Sequence, residues 1–422
     1  MRLTIEGARV IDPASQFDQI TDLHIAGGRI EAIGPAPEGF KAEVIDARGL
    51  IASPGLVDLN VSLREPGFSQ KGTIASETRA AAAGGVTSLC CLPDSNPVLD
   101  EPAVAELILD RSERAGQVRV FPIAALTKGL DGEHLSELVS LRDAGCVAFT
   151  QGLAPMKSNR ILRRALEYAA GFDLPVIFTP QDPALAEGGL AHEGPTASRL
   201  GLTGIPESAE TVALARDLLL IEQTGVRAHF SGLSSARAMD MLADAQARGL
   251  PVTADLAMYQ LMLCDEDLEG FSSLMHVQPP LRSRKDQHAL RQAVQSGVVQ
   301  AISSHHRPHE PEAKRVPFAA SAPGISSVEV LLPLALSLVA DGLLELPALL
   351  ARLTCGPARA LHLPAGQLSL GERADITLFD PAASSQIGQN WLSRGANCPF
   401  LGLGVPGAVT HTISAGRLVY QA

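Results

Sequence analysis

Three histidines crowd into the segment SSHHRPHE, residues 303–310: His305, His306 and His309. Imidazole serves as a zinc ligand and as a general base, so an HHxxH spacing invites both readings. A metal site needs further donors from other elements. No carboxylate or cysteine elsewhere has a spacing that completes the set, which makes the cluster a weak metal signal. The stretch SPGLVDLNVSLREPG, residues 53–67, is the second candidate. Strand alternation sends Asn60 and Ser62 to one side of a sheet. Two histidines at that spacing would form half a metal centre, whereas an amide and a hydroxyl are poor zinc ligands. The adjacent Cys90 and Cys91 in SLCCLP could offer a nucleophile to a histidine base, but their apolar strand context points to packing.

These residues must be positioned by the elements around them. Between residue 55 and about residue 365, short apolar runs alternate with amphipathic helical patterns, as in a parallel sheet. Strands are expected at residues 55–63, 86–92, 118–125, 146–150, 176–179, 226–230, 252–256 and 299–303. Helices are expected at 77–83, 135–144, 159–171, 209–224, 234–248, 328–342 and 347–353, several closed by a glycine. Eight such strands fit a (β/α)8 TIM-type barrel better than an open sheet. The Gly- and Pro-rich segment 181–207 carries no element pattern; it reads as an insertion at the strands' carboxyl ends or as a surface loop. The first fifty residues read as a small antiparallel unit, and the β texture returns after residue 366. The expected domains are therefore a composite β-domain, residues 1–53 and 366–422, and a barrel, residues 54–365.

The 422-residue chain carries a formal net charge of -12. Nucleic acid and anionic membranes are disfavoured as partners, since each calls for a basic surface. Six scattered cysteines without a CxxC pair suit reduced thiols, and there is neither a signal-like N-terminus nor an uninterrupted apolar run of membrane length. A cytoplasmic protein is expected.

Seven motifs, in this order, resemble the dihydroorotases of the amidohydrolase superfamily. They are PGLVDLNVSLREPG, ETRAAAAGGVTSLCCLPDSNPV, HVQPPLR, SSHHRPHE, LTCGPARAL, GERADITLFDP and NCPFLGLGVPGAVTHTISAGRLVY. The resemblance implies an amidohydrolase-like barrel with a small β-sandwich domain from the two chain ends. It also implies a zinc site at the strands' carboxyl ends, with an aspartate on the eighth strand as general base. Carried over residue by residue, that pattern fails. The first-strand histidine pair falls on Asn60 and Ser62, the fifth-strand histidine on Thr179, the sixth-strand histidine on Gly232, and the aspartate on His305. His229 stands three residues before Gly232. The bridging aspartate has no clear match near Gln151, and the seventh-strand histidine pair is replaced around Tyr259 and Gln260.

Without those donors no metal and no other cofactor is expected, and hydrolysis by the family mechanism is not expected either. Arg64, Asn96 and His309 match the positions that hold the substrate carboxylate in the family, and so form a residual substrate-like pocket or brace the loops that carry them. The resemblance implies a non-catalytic chain that associates with aspartate transcarbamoylase catalytic chains, as a homodimer within a larger hetero-oligomer. The competing expectation is an atypical cyclic-amide hydrolase or ligand-binding protein using Arg64, Asn96 and His309.

Overall fold

The computed structural model describes residues 2–422. Eight parallel strands follow one another round a barrel: β1 (Leu56–Val61), β2 (Val86–Cys91), β3 (Arg119–Ala125), β4 (Ala148–Thr150), β5 (Val176–Phe178), β6 (Ala228–Ser231), β7 (Val252–Ala257) and β8 (Ala301–Ser303). Each strand lies inside the span expected from the apolar runs or overruns it by one residue. The ring closes through main chain beyond the last strand. Ser62 N–H donates to the His306 carbonyl at 2.9 Å, and His306 N–H donates to the Asn60 carbonyl at 3.1 Å.

The helices between the strands form where caps and apolar spacing coincide. Asn159–Gly171 starts at Ser158, whose side chain accepts the Ile161 N–H, and buries Leu162, Ala165, Leu166 and Ala169. A cap of that kind is worth about 1 kcal/mol. Pro102–Ala115 and Arg284–Ser296 are two helices absent from the sequence expectation. The first opens on a proline and ends at Gly116 in the left-handed region; the second opens on a Ser283–Asp286 capping box. Few apolar residues mark the second helix, so its face is faint in the sequence while its cap is explicit.

The flanking domain is one sheet built from Arg2–Asp12, Phe17–Ala26, Arg29–Ile33, Glu43–Asp46, Ile51–Pro54, Ile376–Gln386, Gly404–Ser414 and Arg417–Gln421. It is mixed, not purely antiparallel. Arg2–Asp12 runs antiparallel to Phe17–Ala26 but parallel to Glu43–Asp46 and Ile51–Pro54. The chain crosses back through residues 34–42 before pairing again, which reverses the sense of the later strands. Leu3, Ile5, Val10, Leu23, Ile25, Ile376 and Ile413 form the core of this domain.

At the carboxyl ends of the barrel strands, segment 181–207 is an ordered insertion. Ala191–His192 and Gly204–Ile205 pair in parallel around the short helix Pro195–Leu200. Ala191 and Ala197 share an apolar cluster with Leu268 and Phe318, which ties the loops after β5, β7 and β8 together. No described helix is long and apolar enough to cross a membrane.

Candidate functional site

The three histidines beyond β8 do not converge; each turns to a partner on a different element. His306 is fully buried. Its Nδ1 accepts the Ser327 N–H at 2.9 Å, and its Nε2 donates to Glu77 Oε2 at 2.9 Å. Glu77 also accepts from Ser393 Oγ at 2.6 Å and from the Arg394 N–H at 3.1 Å. This histidine therefore ties helix Ile74–Ala83 to the β8 loop and to the C-terminal segment.

His305 turns into the barrel. Its backbone is left-handed, φ +51°, a conformation that costs an L-residue about 1–2 kcal/mol. Nε2 of His305 lies 2.9 Å from Oδ1 of Asp255 on β7, and the tyrosine ring of Tyr259 meets the imidazole edge-on. Asp255 is wholly buried and is the hub of the site. It accepts from Ser231 Oγ at 3.1 Å, Gly232 N–H at 3.1 Å and Ser303 Oγ at 3.2 Å, and lies 3.3 Å from His229 Nε2. Burial alone would push its carboxyl up. The charge of His305, with hydrogen bonds from His229 and His305, instead holds it well below the ordinary aspartate range.

Of the remaining positions, Gly232 and Asn60 adjoin that hub, whereas Ser62 and Thr179 turn elsewhere. Gly232 has φ +74°, and a Cβ there would stand 2.9 Å from Cε1 of His305. Asn60 donates through Nδ2 to Ser231 Oγ at 2.9 Å, while its buried Oδ1 has no partner among the described residues. Ser62 Oγ donates to Asp94 Oδ2 at 2.7 Å. Thr179 faces a different space, a small cavity beyond β4 and β5 lined also by Gln151, Phe178, Gln181 and Asp217. Gln151 is held by Thr127 and by the Leu130 carbonyl, and Gln260 is buried with both amide atoms unpartnered among the described residues.

Of the three residues matched to a carboxylate pocket, two meet. Arg64 Nη2 lies 3.3 Å from His309 Nε2, and Arg64 Nη1 pairs with Asp94 at 3.1 Å. Burial lowers the Arg64 pKa against the pull of Asp94. Burial, followed by the charges of Arg64 and Lys71, pushes His309 down to about 3, so it is a neutral imidazole near pH 7. Its Nδ1 lies 3.3 Å from Lys71 Nζ and its Nε2 3.1 Å from the Pro323 carbonyl. Asn96 is exposed. It contacts this loop through its backbone, whose N–H donates to the Pro66 carbonyl at 3.0 Å, and a Cβ on Gly67 would strike its carbonyl. Cys90 and Cys91 are buried, and burial raises both thiols away from thiolate chemistry.

These donors do not fit a zinc ion. Zinc takes three or four thiolate, imidazole or carboxylate ligands around one point. The first-strand pair supplies an amide and a hydroxyl, Gly232 supplies nothing, and the nitrogens of His305 and His229 that face the site are turned onto Asp255. Among the described residues no three His, Cys, Asp or Glu side chains are placed to hold a metal.

Asp255, Glu77 and Asp94 are the site residues that sequence reasoning missed. Asp255 had a signal: it is the one charged residue of the run VTADLA, in register with Ser231 on the neighbouring strand.

A parallel barrel flanked by a sheet from both chain ends, with polar residues gathered at the strands' carboxyl ends, is an amidohydrolase-type fold. The fold agrees with that of L-hydantoinase (dihydropyrimidinase) from Arthrobacter aurescens, at a TM-score of 0.88 and 23% identity, covering 99% of this chain and 96% of the other. The chain belongs to the dihydroorotase-like family. The family model described as dihydro-orotase-like matches residues 49–238. A dihydroorotase-like protein of Pseudomonas aeruginosa is 66% identical over 422 residues, spanning both chains completely. Another, from Pseudomonas putida, is 65% identical over all of this chain and 99% of its own. A dihydroorotase of Syntrophus aciditrophicus is 42% identical over 426 residues, again the whole of both chains.

Proposed function

We propose that this chain is a catalytically inactive member of the dihydroorotase-like family that serves as a structural partner of the aspartate transcarbamoylase catalytic chain in pyrimidine biosynthesis. One observation carries the first half of that reading: the space beside residue 232 is filled by His305, and His305 is bonded to Asp255. Where the family resemblance expects a metal, the His305 imidazole and the Ser231 and Ser303 hydroxyls are bonded to the Asp255 carboxylate, and Asn60 Nδ2 is bonded to Ser231. With neither a metal-held water nor an aspartate base on the eighth strand, the chain's own residues offer no route to a nucleophilic hydroxide. The barrel and its flanking sheet are complete, which favours a use of the surface over a use of the mouth. The two relatives at 65–66% identity bear the name dihydroorotase-like protein, whereas that at 42% bears the name dihydroorotase.

The partner half of the reading rests on family resemblance. Mixing the purified chain with aspartate transcarbamoylase and passing the mixture through a sizing column tests it. The expected result is one co-eluting species with altered carbamoyl-transfer activity or stability; separate elution with unchanged activity would refute it.

A second reading keeps a ligand in the mouth. The contact between Arg64 and His309 leaves a guanidinium beside a neutral imidazole, which suits a carboxylate. Calorimetric titration with dihydroorotate, orotate and carbamoyl aspartate distinguishes it, and loss of any heat in an Arg64→Gln variant would place the ligand there.

A further inference from the structure

At the opposite end of the barrel, four arginines gather at the seam between barrel and flanking sheet. Arg119 opens β3, Arg29 follows the Gly27–Gly28 turn, Arg373 precedes strand Ile376–Gln386, and Arg417 follows the Ala415–Gly416 turn. They line two adjoining clefts of about 420 and 410 Å3, which share Arg373, Ala415 and Arg417. The chain as a whole carries an excess of acid, 46 Asp and Glu against 34 Lys and Arg, so such a concentration of positive charge is local and needs a cause.

The groups around these guanidinium ions leave most of the charge unpaired. Arg29 Nη1 donates to the Gly371 carbonyl at 2.7 Å, Arg119 Nη1 to the Pro364 carbonyl at 3.3 Å, and Arg417 Nη2 to the Gly116 carbonyl at 3.2 Å. Carbonyls orient a guanidinium without neutralising it. Only Arg373 meets a carboxylate, Asp375, whose two oxygens both lie 3.0 Å from its Nε; Oδ1 of Asp375 also takes the Ala415 N–H. The one other acid lining the clefts is the exposed Glu113.

Two further features raise the cost of leaving this cluster bare. Arg29 and Arg373 face each other across an antiparallel bridge, where like charges destabilise a sheet. Arg119, held over the Phe121 ring, has its pKa lowered by burial and then by the charge of Arg373, with Asp375 pulling the other way. The floor between them is bare backbone. The turns Gly27–Gly28 and Ala415–Gly416 all have positive φ, and they abut so closely that a Cβ on Gly28 would stand 2.9 Å from the Ala415 carbonyl. The second cleft is lined by these two turns together with Arg29, Arg373 and Arg417, so a ligand there meets main chain and guanidinium groups together.

We infer that these clefts form an anion site for a multiply charged phosphate ligand, such as the oligophosphate tail of a nucleotide, at the end of the barrel away from the family's reaction site. Planar guanidinium forks match phosphate oxygens in pairs, and several around one pocket favour an oligophosphate over a single carboxylate. The anion would also relieve the repulsion between Arg29 and Arg373, so binding should stabilise the seam between the two domains.

Calorimetric titration of the full chain at low salt, with tripolyphosphate, ATP and poly-glutamate as separate probes, tests the site. Saturable binding of tripolyphosphate at a single site, weakening as salt rises, is expected. The exposed Arg29→Gln and Arg417→Gln changes together should weaken it at least about tenfold, while Arg64→Gln at the far end leaves it unchanged. ATP binding tighter than tripolyphosphate would assign a nucleotide, and equal affinity would assign the phosphate tail alone; both support the site. No saturable binding of tripolyphosphate, binding indifferent to the double change, or binding of poly-glutamate alone would overturn it.

Discussion

Cε1 of His305 lies 2.9 Å from the point where a β-carbon at residue 232 would stand, and Nε2 of the same ring lies 2.9 Å from the buried carboxylate of Asp255. The two contacts explain each other. A histidine at residue 232, as the family resemblance expects, would compete with His305 for one volume, and glycine makes room for it. The imidazole then gives the buried Asp255 carboxylate a hydrogen-bonding partner.

Gly232→Ala should therefore destabilise the protein by about 2–4 kcal/mol, through overpacking against His305 and a left-handed backbone that alanine disfavours. In a His305→Ala background the added cost should shrink to the backbone part, about 1 kcal/mol. Denaturant unfolding of the four variants of this cycle measures the coupling. An equal cost in both backgrounds would show that the contact carries no energy.

Asp255→Asn removes the negative charge and replaces one of the two acceptor oxygens, which face His305, His229, Ser231, Ser303 and the Gly232 N–H, by an NH2 donor. Breaking one side of a buried polar pair costs about 3–5 kcal/mol, so the unfolding midpoint should fall by many degrees. The native pKa of Asp255 lies below its unfolded value, so its contribution is present above about pH 3.9 and is lost as the pH falls through the native pKa.

Glu329 behaves in the opposite sense. Burial pushes its carboxyl up to about 7, against the N–H groups of Ser393 and Leu392 that it accepts and with Glu77 repelling it. The folded state then holds a proton that the unfolded chain has released. Stability should fall as pH rises from about 4.5 to about 7, by at most about 3 kcal/mol. A Glu329→Gln variant should lack that slope, which urea midpoints collected across the window would reveal.

The barrel was legible from the sequence because each strand is a short apolar run bounded by glycine or by a helix cap, and the eight runs lie where the strands form. The site was legible only by position. That Asn60, Ser62, Thr179, Gly232 and His305 stand where ligands are expected follows from order along the chain. What holds them does not, because Asp255 meets Gly232 and His305 across 23 and 50 residues of sequence, Asp94 meets Ser62 across 32, and Glu77 meets His306 across 229. His305, His306 and His309 illustrate the limit. Their spacing suggests convergence, but the left-handed backbone at His305 and separate acceptors on three elements send them apart.

Asn60→His with Ser62→His should not create a zinc site. The two new imidazoles would find no third donor at Thr179 or Gly232, and Asp255 remains engaged by His305 and Ser231. Elemental analysis of the dialysed double variant should give no zinc above the level of the unaltered chain. One tightly held zinc per chain would show that the surrounding residues can still complete a centre.

On the function proposed above, this barrel has no dihydroorotase chemistry. Interconversion of dihydroorotate and carbamoyl aspartate, followed with the purified chain at high concentration and with zinc supplied, tests it most directly. The expected result is a rate indistinguishable from that without protein. Saturable turnover that a chelator abolishes and zinc restores would contradict the account, because it would require a metal where His305 and Asp255 meet.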